Sequence, residues 1–127
     1  YLQFCEFIQR ALLDIGLNVS IEVMPASALK TAKANGKLDF FRASWVADYP
    51  DAENYLSLFY SENYAPNGPN YTHFKNDTYD QLYKQSLSVS DNKKRLELYK
   101  KISFHIFESD PATRMNFNKL VFFNFLV

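Results

Sequence analysis

Asp48, Asp51 and Glu53 place three carboxylates in one short turn flanked by Trp45 and Tyr49, and two kinds of chemistry suit that set. Neighbouring carboxylates can push their pKa values apart and serve as general acid and general base. A single carboxylate beside aromatic rings instead suits an ammonium group: the oxygens accept charge-assisted hydrogen bonds while the rings add cation–π attraction and exclude water. A structural reading stands beside both. An Asp in a turn can bond its own backbone, Asp51 is placed to cap a short helix with Pro50 fixing its start, and Glu53 favours a helix's first turn. Arg42 lies upstream in an otherwise apolar run. A guanidinium there must find a partner or face a cavity, because burying it unpaired is costly. Asp39 or Glu22 would satisfy it, and so would a ligand carboxylate.

Other catalytic signatures are missing. His73 and His105 are isolated, without metal-ligand spacing, and no serine sits in a nucleophile elbow. With 3 glycines in the chain, a phosphate-cradling loop is not expected. The reading is therefore of no catalytic residues, no metal and no cofactor, with a carboxylate-dependent hydrolase kept as a competing hypothesis.

The elements that must position the turn come next. Leu38 to Val46 has apolar residues on both parities: Leu38, Phe40 and Val46 on one face, Phe41, Ala43 and Trp45 on the other. A strand covered on both faces reads this way. Upstream, 19–23 alternates as a strand should, and 27–35 is helix-compatible and closed by Gly36. The expectation is a β-α-β unit. With parallel strands, 45–51 lies at the carboxyl end of the second, where open α/β sheets bind ligands.

Around this unit the pattern predicts a first helix over 1–15 stopped by Gly16, with an apolar stripe of Leu2, Cys5, Ile8, Leu12 and Ile15. Cys5 is the one cysteine and is read as core, so no disulfide framework or metal cluster follows. After the turn come a short helix from Asp51 through Tyr60 and a turn-rich loop over 61–75, long enough to be functional. A helix capped by Asn76 runs to Leu87, and a longer one from Ser90 or Asp91 to Glu108 carries Leu96, Tyr99, Ile102 and Ile106 as its stripe. Pro111 prevents its continuation, and strand-like residues fill 115–127. Both ends read as cut, since the chain opens without Met inside an amphipathic pattern and closes on an apolar run.

A length of 127 residues is one domain's worth, and a formal net charge of +0 supplies no field for nucleic acid. Lys93, Lys94 and Arg95 read as a solvated helix face. Aromatics make up 17% of the chain, which fits either a tyrosine-lined binding surface or a core of Phe with Tyr at its margins. No signal peptide or membrane-spanning run is visible.

Several stations in order carry a family resemblance. Ile15-Gly16-Leu17-Asn18-Val19 is similar to an Ile-Gly-Ile-x-Val lead into a strand, and Gly36-Lys37-Leu38-Asp39-Phe40 to a Gly-x-Phe-Asp motif. Arg42-Ala43-Ser44-Trp45-Val46-Ala47-Asp48-Tyr49 resembles Arg-Ala-Gly-Trp-x-Ala-Asp-Tyr, and Asn76 to Leu82 resembles Asn-Pro-Glu-Tyr-Asp-x-Leu. Arg95 to Tyr99 follows where a penultimate long helix belongs. Together these resemble the carboxy-terminal portion of the bacterial oligopeptide- and dipeptide-binding proteins of ABC importers, over about residues 2–111. Two departures stand out: Ser44 replaces the usual glycine, and the stretch after Pro111 lacks the family's Pro-Val-Ile-Pro-Leu.

The resemblance implies an α/β fold in which 1–127 is a single fragment of one lobe of a bilobal periplasmic-binding-protein-like architecture. It implies peptide binding without catalysis, with Asp48 taking the peptide's α-ammonium, Arg42 able to meet a ligand carboxylate, and Trp45 and Tyr49 lining the pocket. The partners implied are a peptide and an ABC transporter permease. The location implied is periplasmic or otherwise extracytoplasmic, with membrane attachment only through the permease or a lipid anchor outside this sequence. Relatives carry nickel, haem or oligosaccharide on the same scaffold, so a non-peptide ligand is one alternative. A protein-interaction module built on the aromatic loop 61–75 is another.

Overall fold

The computed structural model describes residues 2–107 and 120–125. In chain order the elements are α1 (Leu2–Asp14), α2 (Ala26–Ala34), β1 (Phe40–Trp45), α3 (Glu53–Leu56), α4 (Asp77–Leu87), α5 (Asn92–Phe107) and β2 (Leu120–Phe125). Short 3-10 turns at Ser57–Phe59 and Ser61–Asn63 follow α3. The fold is α/β. β1 and β2 pair in parallel, with Phe40 opposite Leu120 and Trp45 opposite Phe125, and the crossover between them carries α3, α4 and α5. No described helix is long and apolar enough to cross a membrane.

The parallel pair differs from the expected one. The strand read at 19–23 is not formed: residues 17–25 connect α1 to α2 without strand structure, and Val23 is 79% exposed. A strand exists through its ladder, and no ladder among the described residues includes 19–23. Its alternation survives only as half-buried Val19 and Ile21 between exposed Ser20, Glu22 and Val23, with Gln9 Nε2 donating to the Val19 carbonyl at 2.7 Å. β1 itself is covered on one face. Phe41 and Ala43 are buried, Phe40 and Arg42 are half-buried, and Ser44 and Val46 are exposed.

Helix ends follow local chemistry. α2 stops at Gly36, whose φ of +65° lets its own N–H reach the Lys33 carbonyl at 3.0 Å and the Lys37 N–H reach Ala32 at 2.9 Å, a Schellman closure that delivers the chain to β1. Asn76 caps α4 by accepting the Tyr79 N–H at 2.9 Å, as read from the sequence. The helix after the turn is shorter than expected: α3 ends at Leu56 and tightens into the 3-10 turn through Phe59.

The core gathers behind the turn. Leu56, Leu58, Phe59, Tyr60, Phe74, Tyr79, Tyr83, Tyr99 and Ile102 form one buried cluster, with Trp45, Leu82 and Ile106 packed against it. Edge-on rings at Phe59–Phe74 (6.0 Å) and Phe74–Tyr79 (5.5 Å) each contribute about 0.5–1.5 kcal/mol beyond their buried area. Much of the tyrosine content is thus core. The α5 stripe is Tyr99, Ile102 and Ile106, and not Leu96, which is 54% exposed. Cys5 is half-buried, not core, because no described residue before Phe41 is buried. The expected helix end at Glu108, the break at Pro111 and the strand residues 115–119 and 126–127 lie outside the described residues.

The loop 61–75 is packed by its own side chains. Asn70 is fully buried; its Nδ2 donates to the Tyr60 and Phe74 carbonyls at 3.0 Å each, and its Oδ1 accepts from the Thr72 hydroxyl at 2.8 Å. The Phe74 N–H also reaches Oδ1 at 3.3 Å, so one amide meets four polar groups, which is what a buried loop requires.

Candidate functional site

β1 delivers Trp45 to its carboxyl end, and the chain then bends through Asp48 and Tyr49 into α3. Trp45 is half-buried against the core, and its indole N–H donates to Asn54 Oδ1 at 2.6 Å. Tyr49 is 46% exposed and its hydroxyl donates to a Glu53 carboxylate oxygen. That carboxylate raises the pKa of the phenol, first through the hydrogen bond, because an acceptor already charged disfavours a second negative charge.

The three carboxylates separate by role. Asp51 Oδ1 accepts the Glu53 N–H at 3.0 Å and the Tyr99 hydroxyl at 2.8 Å, and Oδ2 lies 2.8 Å from the Arg95 guanidinium. These donors, the backbone N–H foremost, hold its carboxyl below the ordinary range against an opposing push from burial. The expected cap therefore exists as a side-chain bond to Glu53, with two further ties to α5. Glu53 accepts from Tyr49 on one oxygen and from Tyr83 of α4 on the other. Asp48 is different. It is exposed, and no hydrogen bond or ion pair joins it to another described residue. The backbone-bonding role open to it in sequence is not the one it adopts.

A general acid and base need one carboxyl raised and one left low. Asp51 is lowered and fully engaged, and Glu53 is spent on two phenols, so the arrangement leaves one carboxylate for solvent-side chemistry. Among the described residues no group of three or more His, Cys, Asp and Glu side chains could hold a metal ion.

Arg42 does not join this group directly. Trp45 follows it by three positions in a strand, so the two side chains leave opposite faces. Arg42 lies instead near Lys33, whose pKa is lowered first by burial and then by the guanidinium charge. The Lys33 ammonium sits 5.3 Å from the Tyr71 ring centroid and 5.8 Å from that of Phe41, a cation held by two rings. Sequence reasoning missed Lys33, Asn54, Tyr83 and Tyr99. Tyr83 and Tyr99 meet the turn across separations of 30 and 48 residues, which no local pattern encodes; only the four-residue spacing of Tyr49 and Glu53 is a local signal.

Comparison with known proteins bears on the same segment. Residues 2–67, more than half of the chain and including β1 and the turn, match the family described as "Bacterial extracellular solute-binding proteins, family 5 Middle". The chain belongs to that family. The family-5 chain is 31% identical over 88 residues to the periplasmic oligopeptide-binding protein OppA of Salmonella typhimurium, covering 69% of this chain and 16% of that protein. It is 33% identical over 109 residues to the dipeptide-binding protein of Pseudomonas aeruginosa, covering 85% of this chain and 20% of the relative. To the "Probable deoxycholate-binding periplasmic protein YgiS" of Escherichia coli it is 28% identical over 107 residues, covering 84% and 19%. The family-5 chain thus spans between 16% and 20% of the length of these curated relatives. No solved structure matches it.

Proposed function

We propose that this chain is the part of an ABC importer's substrate-binding protein that holds the amino terminus of a peptide, with Asp48 accepting the α-ammonium and Trp45 and Tyr49 flanking it. The observation that carries the reading is the division of labour among the turn's carboxylates: Asp51 and Glu53 are consumed by structure, and Asp48 alone is exposed without a partner among the described residues. An exposed carboxylate three residues after Trp45 and next to Tyr49 in the chain suits an ammonium in charge and in its hydrogen-bond donors. Names among the relatives support a peptide as the ligand class, since two of the three are peptide-binding proteins.

Arg42, with Lys33 beside it, supplies positive charge that suits a ligand carboxylate on the other face of β1. Binding needs no covalent chemistry; closure of two lobes around the ligand would present it to a membrane permease, which places the protein outside the cytoplasm, with or without a lipid anchor. The test is calorimetry on the full-length protein. Asp48→Asn, or acetylation of the peptide's amino terminus, costs about 2–5 kcal/mol of binding, as removing one partner of a desolvated charge pair does. Unchanged affinity in both experiments refutes the assignment.

A further inference from the structure

Glu53 and Asn54 are consecutive residues at the start of α3, and each holds one ring of the binding turn. Asn54 is 3% exposed and commits its Oδ1 to the Trp45 indole N–H at 2.6 Å. Glu53 accepts the exposed Tyr49 phenol on one oxygen and the buried Tyr83 phenol on the other, so a solvent-facing ring is tied through one carboxylate to a residue 4% exposed on α4. Asp51, two positions before Glu53, is held from α5 by Tyr99 and Arg95. The start of α3 is therefore fastened to both long helices of the crossover, and the Trp45 and Tyr49 side chains are each hydrogen-bonded to it.

Resting on the reading of Asp48 given above, we propose that Glu53 and Asn54 are positioning residues that set how Trp45 and Tyr49 flank Asp48, and thereby determine the preference for a free over a blocked amino terminus. The physical reason lies in the direction of the attraction. A ring attracts a cation through its face, and its edge is repulsive, so a ring free to rotate loses on average what a fixed one supplies. An indole whose N–H is bonded to a buried amide has one rotation that keeps the bond. The phenol of Tyr49, exposed as it is, has few other restraints.

The experiment uses the full-length protein and tri- to penta-alanine, each with a free and with an acetylated amino terminus, and reads the ratio of the two affinities. Glu53→Gln, Asn54→Leu and Tyr49→Phe each lower that ratio about two- to fivefold, the size expected of one exposed cation–π contact. Tyr49→Phe removes one exposed hydroxyl and leaves the core intact, so it carries the test if Asn54→Leu fails to fold. A second readout follows Trp45 itself. With 5-fluorotryptophan incorporated, the 19F resonance that vanishes in Trp45→Phe shifts in Asn54→Leu and stays in place in Glu53→Gln. If Asp48→Asn collapses the ratio while Glu53→Gln, Tyr49→Phe and Asn54→Leu leave it unchanged, positioning is refuted and the role of Asp48 stands. If Asp48→Asn also leaves the ratio unchanged, both are overturned.

Discussion

α1 and α5 carry similar amphipathic patterns and end in opposite states. In α1 no residue is buried: Cys5, Ile8 and Leu12 are half-covered, while Leu2 is 52% exposed, Phe7 67% and Leu13 58%. In α5 the same spacing puts Tyr99 at 8% and Ile102 at 0% exposure, with α5 packed on α4 and α3. The difference teaches that a helical stripe identifies a face and says nothing about what covers it. α5 meets its cover within the described residues, because Tyr99 and Ile102 share one buried cluster with Tyr79 and Tyr83 of α4 and with residues of the segment between α3 and α4. α1 has no such neighbour among the described residues of a chain that spans between 16% and 20% of the relatives' length quoted above.

The sharpest way to break this comparison is a pair of truncations. Ile102→Ala should cost about 2–5 kcal/mol, since it opens a cavity in a sealed cluster, whereas Leu2→Ala, on the α1 stripe and exposed, should stay within about 0.5 kcal/mol; urea unfolding of the two variants reads both. Similar losses would mean that α1 is covered after all. Next in size is the loop that closes the core from below. A Cβ added at Gly68 would stand 2.5 Å from the Asn63 backbone oxygen, so Gly68→Ala should cost about 1–3 kcal/mol by overpacking and lower the unfolding midpoint.

A smaller effect sharpens the contrast through acid. The carboxyl of Asp51 lies below its ordinary value of 3.8 in the folded chain, through the Glu53 N–H first and then Tyr99 and Arg95. A depressed folded pKa contributes stability that is present above the unfolded value and is lost as pH falls through the folded one. Lowering the pH from about 6 to about 3 should therefore reduce the parent's urea midpoint more than that of Asp51→Asn. Equal losses would show that Asp51 does not pin the turn to α5. Smallest of all is the exposed pair of Lys84 and Glu62 at 2.6 Å, whose removal by Lys84→Ala should leave the midpoint unchanged within error, as surface pairs usually do.

Legibility in the sequence followed the range of the interaction. The ends of α2 and α4 were readable because Gly36 and Asn76 act within a few residues of themselves. The strand at 40–45 and the position of Asp48 beyond its end were readable because a short apolar run bounded by a turn has few alternatives. The strand at 19–23 was misread although its alternation is clean, since alternation specifies two faces and not a ladder partner. Leu96 was misread for the same reason: it has the right spacing on α5 but is exposed, outside the buried cluster that holds Tyr99 and Ile102. Within the turn, Asp48, Trp45 and Tyr49 were singled out by type and spacing, while Arg42 leaves the opposite face of β1 from Trp45.

By itself, then, the sequence determined the helices of the crossover, their caps, the β1 strand and the turn in which carboxylates and rings are crowded together, because these depend on residues near one another along the chain. Only the tertiary structure decided which distant side chains engage Asp51 and Glu53. Tyr83 and Tyr99 reach Glu53 and Asp51 across 30 and 48 residues, and a hydrogen-bond donor that far along the chain is brought into place only by packing α4 and α5 against the turn.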